Sequence, residues 1–413
     1  MGAPLDAAGF AARMARLGPF PPAPRIAVAV SGGADSLALA WLAGPWARAR
    51  GGEARGLIVD HGLRAGSAAE AATAAAQLEG LGVPARVLRL RGLSPGPGLA
   101  ARARAARYAA LTAACAEAGI AHLLLGHHAA DQAETLIQRA LAGSDVTGMA
   151  GMAAATRLEG LWLLRPLLDV PPVALRAVLA AAGLGWAEDP SNRDQAATRA
   201  RLRALRGDPD GSGFATSALV AAARAAGAAR AVAEAGAAAF LAAHVVLHDA
   251  GFAVLPPGPV PVPALAWLIA AVGGAARPPS GSGLARLAAC PRPATLGGAR
   301  LLPAGRLGHG WRLEREVARV APEVPAEAGA RWDRRWRLEG ADAPPGAMLG
   351  ALGAEAARLR AVSPLPASVL AGLPAIRRRG TLVAVPPLGW GEAGFAVRFA
   401  PLAGSGFVPF RPG

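Results

Sequence analysis

Residues 26–36 read IAVAVSGGADS and join a short apolar run to a glycine-rich turn. The run at 26–30 is apolar and partly β-branched, which is typical of a strand that is buried on both faces. A Leu- and Ala-rich stretch follows to about Arg50 and predicts a helix. Two glycines let the backbone turn tightly, and the helix N-terminus then offers free amides and a positive dipole end. The segment therefore predicts a site for an anionic group such as a phosphate.

The same alternation of strand and helix continues through the first half of the chain, whereas residues 1–25 show no strong pattern. Four further apolar runs predict strands, at residues 56–60, 85–90, 120–125 and 161–165. Three segments between them predict helices, at residues 67–80, 99–119 and 131–141. This order favours an α/β fold with an open, mostly parallel, doubly wound sheet. Ligands of such sheets bind at the carboxyl ends of the strands, where the polar clusters at 31–36 and 126–134 lie.

The pattern changes beyond about residue 207. Residues 215–250 are Ala-rich and predict a helix, and residues 256–263 predict a linker before a short apolar helix. From about residue 296, frequent Gly and Pro separate short β-like pieces. We therefore expect three regions, which are an α/β domain with the predicted phosphate site at 1–206, a helical middle region at 207–295 and a small mixed C-terminal domain at 296–413.

The charged residues limit the catalytic and binding mechanisms that are possible. All 43 basic residues are arginine, against 28 acidic residues, and the formal net charge is +15. The absence of lysine excludes Schiff-base catalysis and a Walker-type phosphate loop, because both need a lysine amine. Guanidinium groups suit phosphate, so a polyanion partner such as RNA explains the excess. Mutational bias towards Ala, Arg, Gly and Pro explains it equally well.

Cysteine usage and hydropathy bear on the compartment. Cys115 and Cys290 lie far apart and give neither a disulfide framework nor a CxxC motif, so we expect a reducing cytoplasm. The N-terminus lacks a basic stretch followed by a long apolar run, and we expect no signal peptide. The most apolar segment, at 263–276, is shorter than the ~20 residues that cross a bilayer, so we expect no membrane association.

A second polar cluster follows the predicted strand at 120–125. Residues 126–135 read GHHAADQAET, and Asp131 and Glu134 are spaced to share one helix face. His128 lies one turn before Asp131. Two carboxylates near a phosphate site could hold Mg²⁺ or bind an ammonium group. A helix N-terminal acid and a solvated histidine loop are the structural explanations, but this grouping at one strand end favours function.

These two clusters resemble those of a known family. SGGADS at 31–36 resembles the pyrophosphate loop of the N-type ATP pyrophosphatase (PP-loop) superfamily. Together with further segments in the same order, it is similar to the tRNA(Ile)-lysidine synthase family over roughly residues 25–206. The further segments are DHGLR at 60–64, ARAARY at 103–108, GS at 143–144, GMAGM at 148–152, LRPLL at 164–168 and WAEDPSN at 186–192. VAVPPLGW at 383–390 is similar to a C-terminal segment of the family.

The resemblance implies an adenine nucleotide alpha hydrolase-like fold and an ATP-dependent ligase. Family members attach free L-lysine to C2 of the wobble cytidine, position 34, of a tRNA(Ile) with a CAU anticodon. ATP adenylylates the C2 oxygen with release of pyrophosphate, and the lysine amine then expels AMP to give lysidine. The implied cofactors are ATP and Mg²⁺. The implied partners are that tRNA and free lysine, and the chain could also form a homodimer.

The resemblance also assigns roles to individual residues. ATP would be held by Ser31, Gly32, Gly33, Ala34, Asp35, Ser36, His61 and Arg64. Catalysis would fall to Asp35, Arg107, His128, Asp131 and Glu134. Mg²⁺ would be bound by Asp35 and Asp131, although the division of lysine and metal binding between Asp131 and Glu134 stays open. RNA would be contacted by Arg193, Arg199, Arg201, Arg203 and Arg206.

Two departures from the family pattern leave competing interpretations open. Ala130 stands where the family usually has the first of two aspartates, and Ala200 stands where it has an asparagine. A tRNA thiolase that acts through cysteine would need a thiol near the site, whereas Cys115 stands alone in a helical stretch. An amidating ligase and a non-catalytic RNA-binding relative compete with the ligase interpretation as well. Two arginine-rich segments, at 332–337 and 377–379, predict either RNA contacts or ordinary surface.

Overall fold

The computed structural model describes residues 5–63, 66–144, 148–158, 160–187, 207–208, 211–339 and 345–401. The chain divides into two compact units, Met1–Arg230 and Ala231–Gly413. Six of the predicted site residues lie outside the described residues, namely Arg64, Arg193, Arg199, Arg201, Arg203 and Arg206. The three-region division at 206 and 295 stays a prediction.

The first unit is built on a six-stranded sheet. Its strands are β1 (Arg25–Val30), β2 (Glu53–Asp60), β3 (Ala85–Arg89), β4 (His122–Leu125), β5 (Ala155–Leu158) and β6 (Leu161–Leu164). They lie in the order β3-β2-β1-β4-β6-β5. Neighbouring strands are parallel except for β5, which pairs antiparallel with β6. The predicted α/β fold with a mostly parallel sheet is therefore confirmed.

Helices lie around this sheet. They are α1 (Ala7–Ala15), α2 (Ala34–Arg48), α3 (Ser67–Gly80), α4 (Leu99–Glu117), α5 (Ala129–Leu141) and α6 (Pro172–Ala181). Alternate residues of a strand point to opposite faces, so β1 contributes to two cores. Val28 packs in the core that contains residues of α1, α2, α3 and α6, while Ala27 packs in the core that contains Leu111 and Cys115 of α4. Full burial of a side chain such as Val28 contributes about 1.5–3 kcal/mol.

Helix α7 (Phe214–His244) follows, and it is shorter than predicted. Residues 246–250 do not continue the helix because Val246–His248 and Phe252–Leu255 form a hairpin. The hairpin turns at Gly251, where φ is +76°, and His248 Nδ1 accepts a hydrogen bond from the backbone of Ala250 at 3.0 Å. By length and composition, α7 is the one helix among the described residues that could cross a membrane, and this is weak evidence.

The second unit contains three antiparallel sheets. Its strands are β7 (Val246–His248), β8 (Phe252–Leu255), β9 (Ala294–Leu296), β10 (Ala299–Pro303), β11 (Trp311–Arg315), β12 (Val324–Pro325), β13 (Arg331–Trp332), β14 (Trp336–Glu339), β15 (Ala347–Ala351), β16 (Pro374–Arg378), β17 (Thr381–Val385), β18 (Trp390–Gly391) and β19 (Ala396–Phe399). The strand orders are β7-β8-β11-β10-β9, β12-β15-β16-β17-β18 and β13-β14-β19. Its helices are α8 (Val262–Gly273), α9 (Ser282–Ala289) and α10 (Ala367–Ala371). The middle region is thus not wholly helical, since β7 and β8 belong to a sheet that continues to Arg315.

The two arginine-rich segments are largely structural. Trp332 and Trp336 are fully buried and Arg335 is 1% exposed, so these three side chains belong neither to an RNA-stacking face nor to ordinary surface, the two alternatives that the sequence left open. Arg337 of the same segment is exposed. Both rings face the core because they alternate with exposed residues along a short hairpin. Arg377 donates hydrogen bonds to the backbone carbonyls of Ala351 and Leu352, at 2.9 and 3.1 Å, and is likewise engaged inside the unit.

Candidate active site

The loop between β1 and α2 closes on itself through serine hydroxyls. Ser36 Oγ accepts a hydrogen bond from the Ser31 backbone N–H at 3.1 Å and donates one to the Gly33 carbonyl at 3.1 Å. The two hydroxyl oxygens lie 3.2 Å apart. Gly32 has a φ of +84°, a conformation that favours glycine. The loop is therefore held in one shape before any ligand binds.

This shape suits a phosphate. Gly33 is the N-cap residue of α2 and has no side chain with which to cap the first-turn amides, so these donors can point at a ligand. Asp35 lies in that first turn, and its side chain is 38% exposed. The loop thus combines backbone donors with an accessible carboxylate that could approach a metal ion but not an anion.

The second cluster starts at the end of β4, the neighbour of β1. A Cβ atom on Gly126 would lie 3.2 Å from backbone atoms of Asp35 and Ser36, so a glycine allows the two segments to approach closely. His128 follows as the N-cap residue of α5. Its backbone N–H donates to Asp131 Oδ2 at 3.1 Å, which fixes the Asp131 carboxylate over the first turn.

One imidazole links the two clusters. His128 Nε2 lies 3.4 Å from Asp35 Oδ2 and 3.6 Å from Asp131 Oδ2, with the His128 side chain 8% exposed. The Asp131 side chain is 13% exposed, whereas Glu134 is fully buried on the same helix. Asp35 is partly exposed and Asp131 is largely buried, and both approach the same imidazole nitrogen. A pair of carboxylates this close together can bind a cation, an ammonium group or a proton.

The described residues contain no group of three or more His, Cys, Asp or Glu side chains arranged to hold a metal ion. Mg²⁺ usually needs fewer protein ligands than that, since it is held by one or two carboxylates together with substrate phosphates and water. Asp35 and Asp131 therefore fit Mg²⁺ next to a phosphate loop, while a cage made wholly of protein side chains does not fit.

Three arginines, Arg104, Arg107 and Arg165, act electrostatically on His127 at this strand end, and only Arg107 among them was predicted as a site residue. The pKa of His127 is lowered to about 4, chiefly because the imidazole is buried. The charge of Asp131 raises this pKa, while the charges of Arg165, Arg104 and Arg107 lower it further. His127 is therefore neutral at pH 7. Its Nδ1 atom is buried and has no hydrogen-bond partner among the described residues.

Arg107 connects this set to His61. Burial lowers the pKa of His61, the charge of Arg107 lowers it further, and Asp60 acts in the opposite sense. Burial also lowers the pKa of Arg107 itself. A desolvated guanidinium gains strongly from an anionic ligand, because its charge is poorly solvated without one. Arg104, which lies 5.1 Å from the centre of the Tyr108 ring, adds to the same positive field.

Helix α5 also carries a clamp. Gln132 donates to the carbonyl of Met152 at 3.1 Å and accepts from its N–H at 2.7 Å. Arg139 donates to the carbonyls of Gly148 and Gly151, at 2.7 and 2.5 Å. The clamped segment and Gln132 border a cavity of about 320 Å³ in the first unit. Five arginines also line this cavity, namely Arg13, Arg16, Arg165, Arg224 and Arg230.

The predicted site residues in the described part of the chain thus fall into two neighbouring groups, apart from Glu134, which is fully buried on α5. The first comprises Asp35, His128 and Asp131 beside the loop residues Ser31, Gly32, Gly33, Ala34 and Ser36. The second comprises His61 and Arg107. His127, Arg104 and Arg165 were not predicted as site residues. They lie in the GHH, ARAARY and LRPLL segments, and that placement was the available signal.

Comparison with known proteins identifies the family of the chain. A family model described as a PP-loop domain matches residues 8–205. A curated tRNA(Ile)-lysidine synthase of Bradyrhizobium diazoefficiens is 51% identical over 185 residues, which are 44% of this chain and 51% of that protein. The aligned part therefore spans about half the length of that relative. A second, of Ruegeria pomeroyi, is 36% identical over 387 residues, which are 89% of this chain and 90% of that protein.

A solved structure, of the U34-tRNA thiolase NcsA from Methanococcus maripaludis with its [4Fe-4S] cluster, is 16% identical, with a TM-score of 0.43 over 52% of this chain and 77% of that one. This similarity carries no conclusion. The match along nearly the whole length of the Ruegeria protein is the informative one, because it covers both units of the chain. The chain belongs to the tRNA(Ile)-lysidine synthase family.

Proposed function

We propose that the chain ligates free L-lysine to C2 of the wobble cytidine of a tRNA(Ile) with a CAU anticodon, using ATP. The observation that carries the proposal is the placement of His128, which joins the loop carboxylate of Asp35 to Asp131 at 3.4 and 3.6 Å. The phosphates of ATP and a second, cationic ligand can therefore meet at one strand end. Membership of the family supports lysine as that ligand.

The first step would be adenylylation of the cytidine C2 oxygen with release of pyrophosphate. The amides at the start of α2 and the hydroxyls of Ser31 and Ser36 would hold the phosphates. Asp35 would hold Mg²⁺ together with the phosphates, and the metal would neutralise charge on them, which leaves Asp131 for the cationic substrate. Adenylylation makes the second step feasible, because AMP is a far better leaving group than oxide.

The second step would be attack of the lysine amine on C2 with expulsion of AMP. Asp131 is the carboxylate that reaches solvent, so it is better placed than the fully buried Glu134 to meet the ammonium group of lysine. Glu134 would then contribute from its buried position on the same helix, without direct access to solvent. Arg107 and Arg104 would stabilise the negative charge of the AMP leaving group, since both contribute to the positive field around His127.

The properties of Cys115 count against a cysteine-dependent thiolase. Burial raises the pKa of its thiol to about 11, so the nucleophilic thiolate is scarce at neutral pH. Cys115 is 1% exposed on the core side of α4, as expected of a small apolar residue. Cys290, the other cysteine, lies in the second unit.

The deciding experiment incubates the full chain with ATP, Mg²⁺, labelled lysine and an unmodified CAU tRNA(Ile). We expect label in the RNA, with one AMP and one pyrophosphate released for each lysine attached. A tRNA(Met) with the same anticodon is the matched control and should stay unlabelled. Folded protein that binds the tRNA but leaves no label in it would refute the proposal. We also propose that the arginines at 193–206 contact the RNA, and that the chain acts in the cytoplasm.

A further inference from the structure

Three arginines of the second unit stand in one row across a sheet. Arg331 of β13 is the direct partner of Arg337 of β14, and Arg337 is the direct partner of Arg398 of β19. All three residues are exposed. We call this row the arginine ladder. Neighbouring strands lie ~4.8 Å apart, so the ladder carries its three charges within about 10 Å.

The sheet has two distinct faces. Trp332, Trp336 and Leu338 alternate with the ladder residues and are at most 1% exposed, within the core of this unit. The ladder therefore cannot turn inward, and its backbone is fixed by strand pairing and by the buried tryptophans. The guanidinium groups are presented from a rigid support rather than from a loop.

The row is electrostatically unfavourable by itself. Like charges on directly paired residues destabilise a sheet. Glu339 neutralises part of the charge at one end, since its carboxylate lies 2.7 Å from Arg398 Nε. At the other end, Arg331 donates to the carbonyl of Ala400 at 3.3 Å. Arg337, in the middle, faces a positive neighbour on each side.

We propose that the arginine ladder is a docking surface for the phosphate backbone of RNA. The inference rests on the proposed function, in which a tRNA is the substrate. Closely spaced guanidinium groups match successive phosphates of one strand and need no sequence-specific contact. The same face offers Glu339 and Ala396 beside the ladder, and a protein partner would need an aromatic or large apolar anchor that these residues do not provide.

The test is the salt dependence of tRNA binding by the triple variant R331Q/R337Q/R398Q of the full chain. Each phosphate contact contributes a slope of roughly 0.7–0.9 in log K against log salt, so we expect the slope to fall by about 2. The dissociation constant should rise more than about tenfold at moderate salt. The single variant Arg337→Gln, which breaks no ion pair within the described part of the chain, should lower the slope by about 1.

The matched control is R292Q/R358Q/R360Q, which removes three exposed arginines from other parts of the same unit. If its slope falls as much as that of the ladder variant, or if the ladder variant binds like the parent chain, the proposal is wrong. Binding is measured without lysine or ATP. Absence of lysine transfer by the parent chain would therefore refute the proposed function, while the salt dependence of tRNA binding would still test the arginine ladder.

Discussion

The Nε2 atom of His128 lies 3.4 Å from Oδ2 of Asp35, so the phosphate loop and helix α5 meet at a single imidazole. Removal of the loop carboxylate should disrupt nucleotide chemistry without disturbing RNA contacts. We expect Asp35→Ala to lower pyrophosphate release by about 10²–10³-fold, the usual effect of losing one electrostatic group at a reacting centre. Filter binding of tRNA should stay within twofold of the parent chain.

A suitable control for that change is Glu117→Ala, which removes one exposed carboxylate from the same unit. It should leave both pyrophosphate release and tRNA binding unaltered. A parallel fall of tRNA binding in Asp35→Ala would show that the assignment of Asp35 to the nucleotide is wrong.

The clamp on α5 predicts a difference between two glycines. Gly151 has a φ of +58°, and a Cβ there would lie 2.7 Å from Gln132 Oε1. Gly143 has a φ of +67° and nothing within 4 Å of its Cβ position. We expect Gly143→Ala to cost about 1 kcal/mol of unfolding free energy and Gly151→Ala about 2–3 kcal/mol, since the latter also displaces the Gln132 amide. Urea unfolding of the two variants measures this, and equal losses would contradict the clamp.

Burial of His127 predicts acid sensitivity. The pKa of His127 is lowered from 6.5 to about 4, so the unfolded chain takes up the proton first as the pH falls. Stability is complete above about pH 6.5 and declines towards pH 4. Between pH 7 and pH 5 the parent chain should lose about 2 kcal/mol more than His127→Gln.

Urea unfolding at the two pH values checks this expectation. The exposed His309 provides the control, because His309→Gln should lose as much stability as the parent chain. If His127→Gln retains the full loss, His127 does not set the acid sensitivity.

The second unit depends on a buried carboxylate. Burial raises the pKa of Asp333, but the hydrogen bonds and charges of Arg315 and Arg335 outweigh it and hold the pKa below its usual value. Burial lowers the pKa of Arg335 to about 10. Asp333→Ala would leave two buried guanidinium groups without their partner, and we expect a loss of about 3–5 kcal/mol.

Thermal unfolding compares that variant with Glu392→Ala, which removes a pair with Arg378 in which both side chains are at least 35% exposed. Pairs of this kind contribute about 0–1 kcal/mol. Similar shifts in the two variants would mean that Asp333 is not central to the unit.

The sequence predicted the central strands of the first sheet well because β1 and β4 are almost wholly buried, whereas the partly exposed edge strand β5 was not predicted. The apolar run before residue 31 and the helical pattern after residue 34 agree with β1 and α2. Helix α1 went unnoticed. Asp6 caps it through the Gly9 N–H at 2.7 Å, and Phe10 and Met14 are fully buried one turn apart. Two apolar contacts in an Ala- and Pro-rich stretch are too weak a periodic signal to stand out.

The candidate site shows the same limit. The motifs predicted which segments meet, since the carboxyl ends of β1 and β4 are adjacent in a parallel sheet. They did not predict that the pKa of His127 would be lowered. That outcome depends on burial and on Arg104 and Arg165, which come from separate segments of the chain. The burial of Trp332 and Trp336 was not predicted for a related reason, because a mixture of aromatic and basic residues looks the same in a core hairpin as on an RNA-binding face.

Helix α5 and the segment that ends at Met152 behave mechanically as one piece. Four hydrogen bonds of Gln132 and Arg139 join them. The backbone of Gly151 also packs so closely against Gln132 that there is no room for a side chain. Any rotation of α5 that repositions Asp131 must therefore carry Met152 with it. Met152 forms part of the cavity wall, so the volume of the cavity and the position of the carboxylate change together. A ligand that fills the cavity would lock the carboxylate in place.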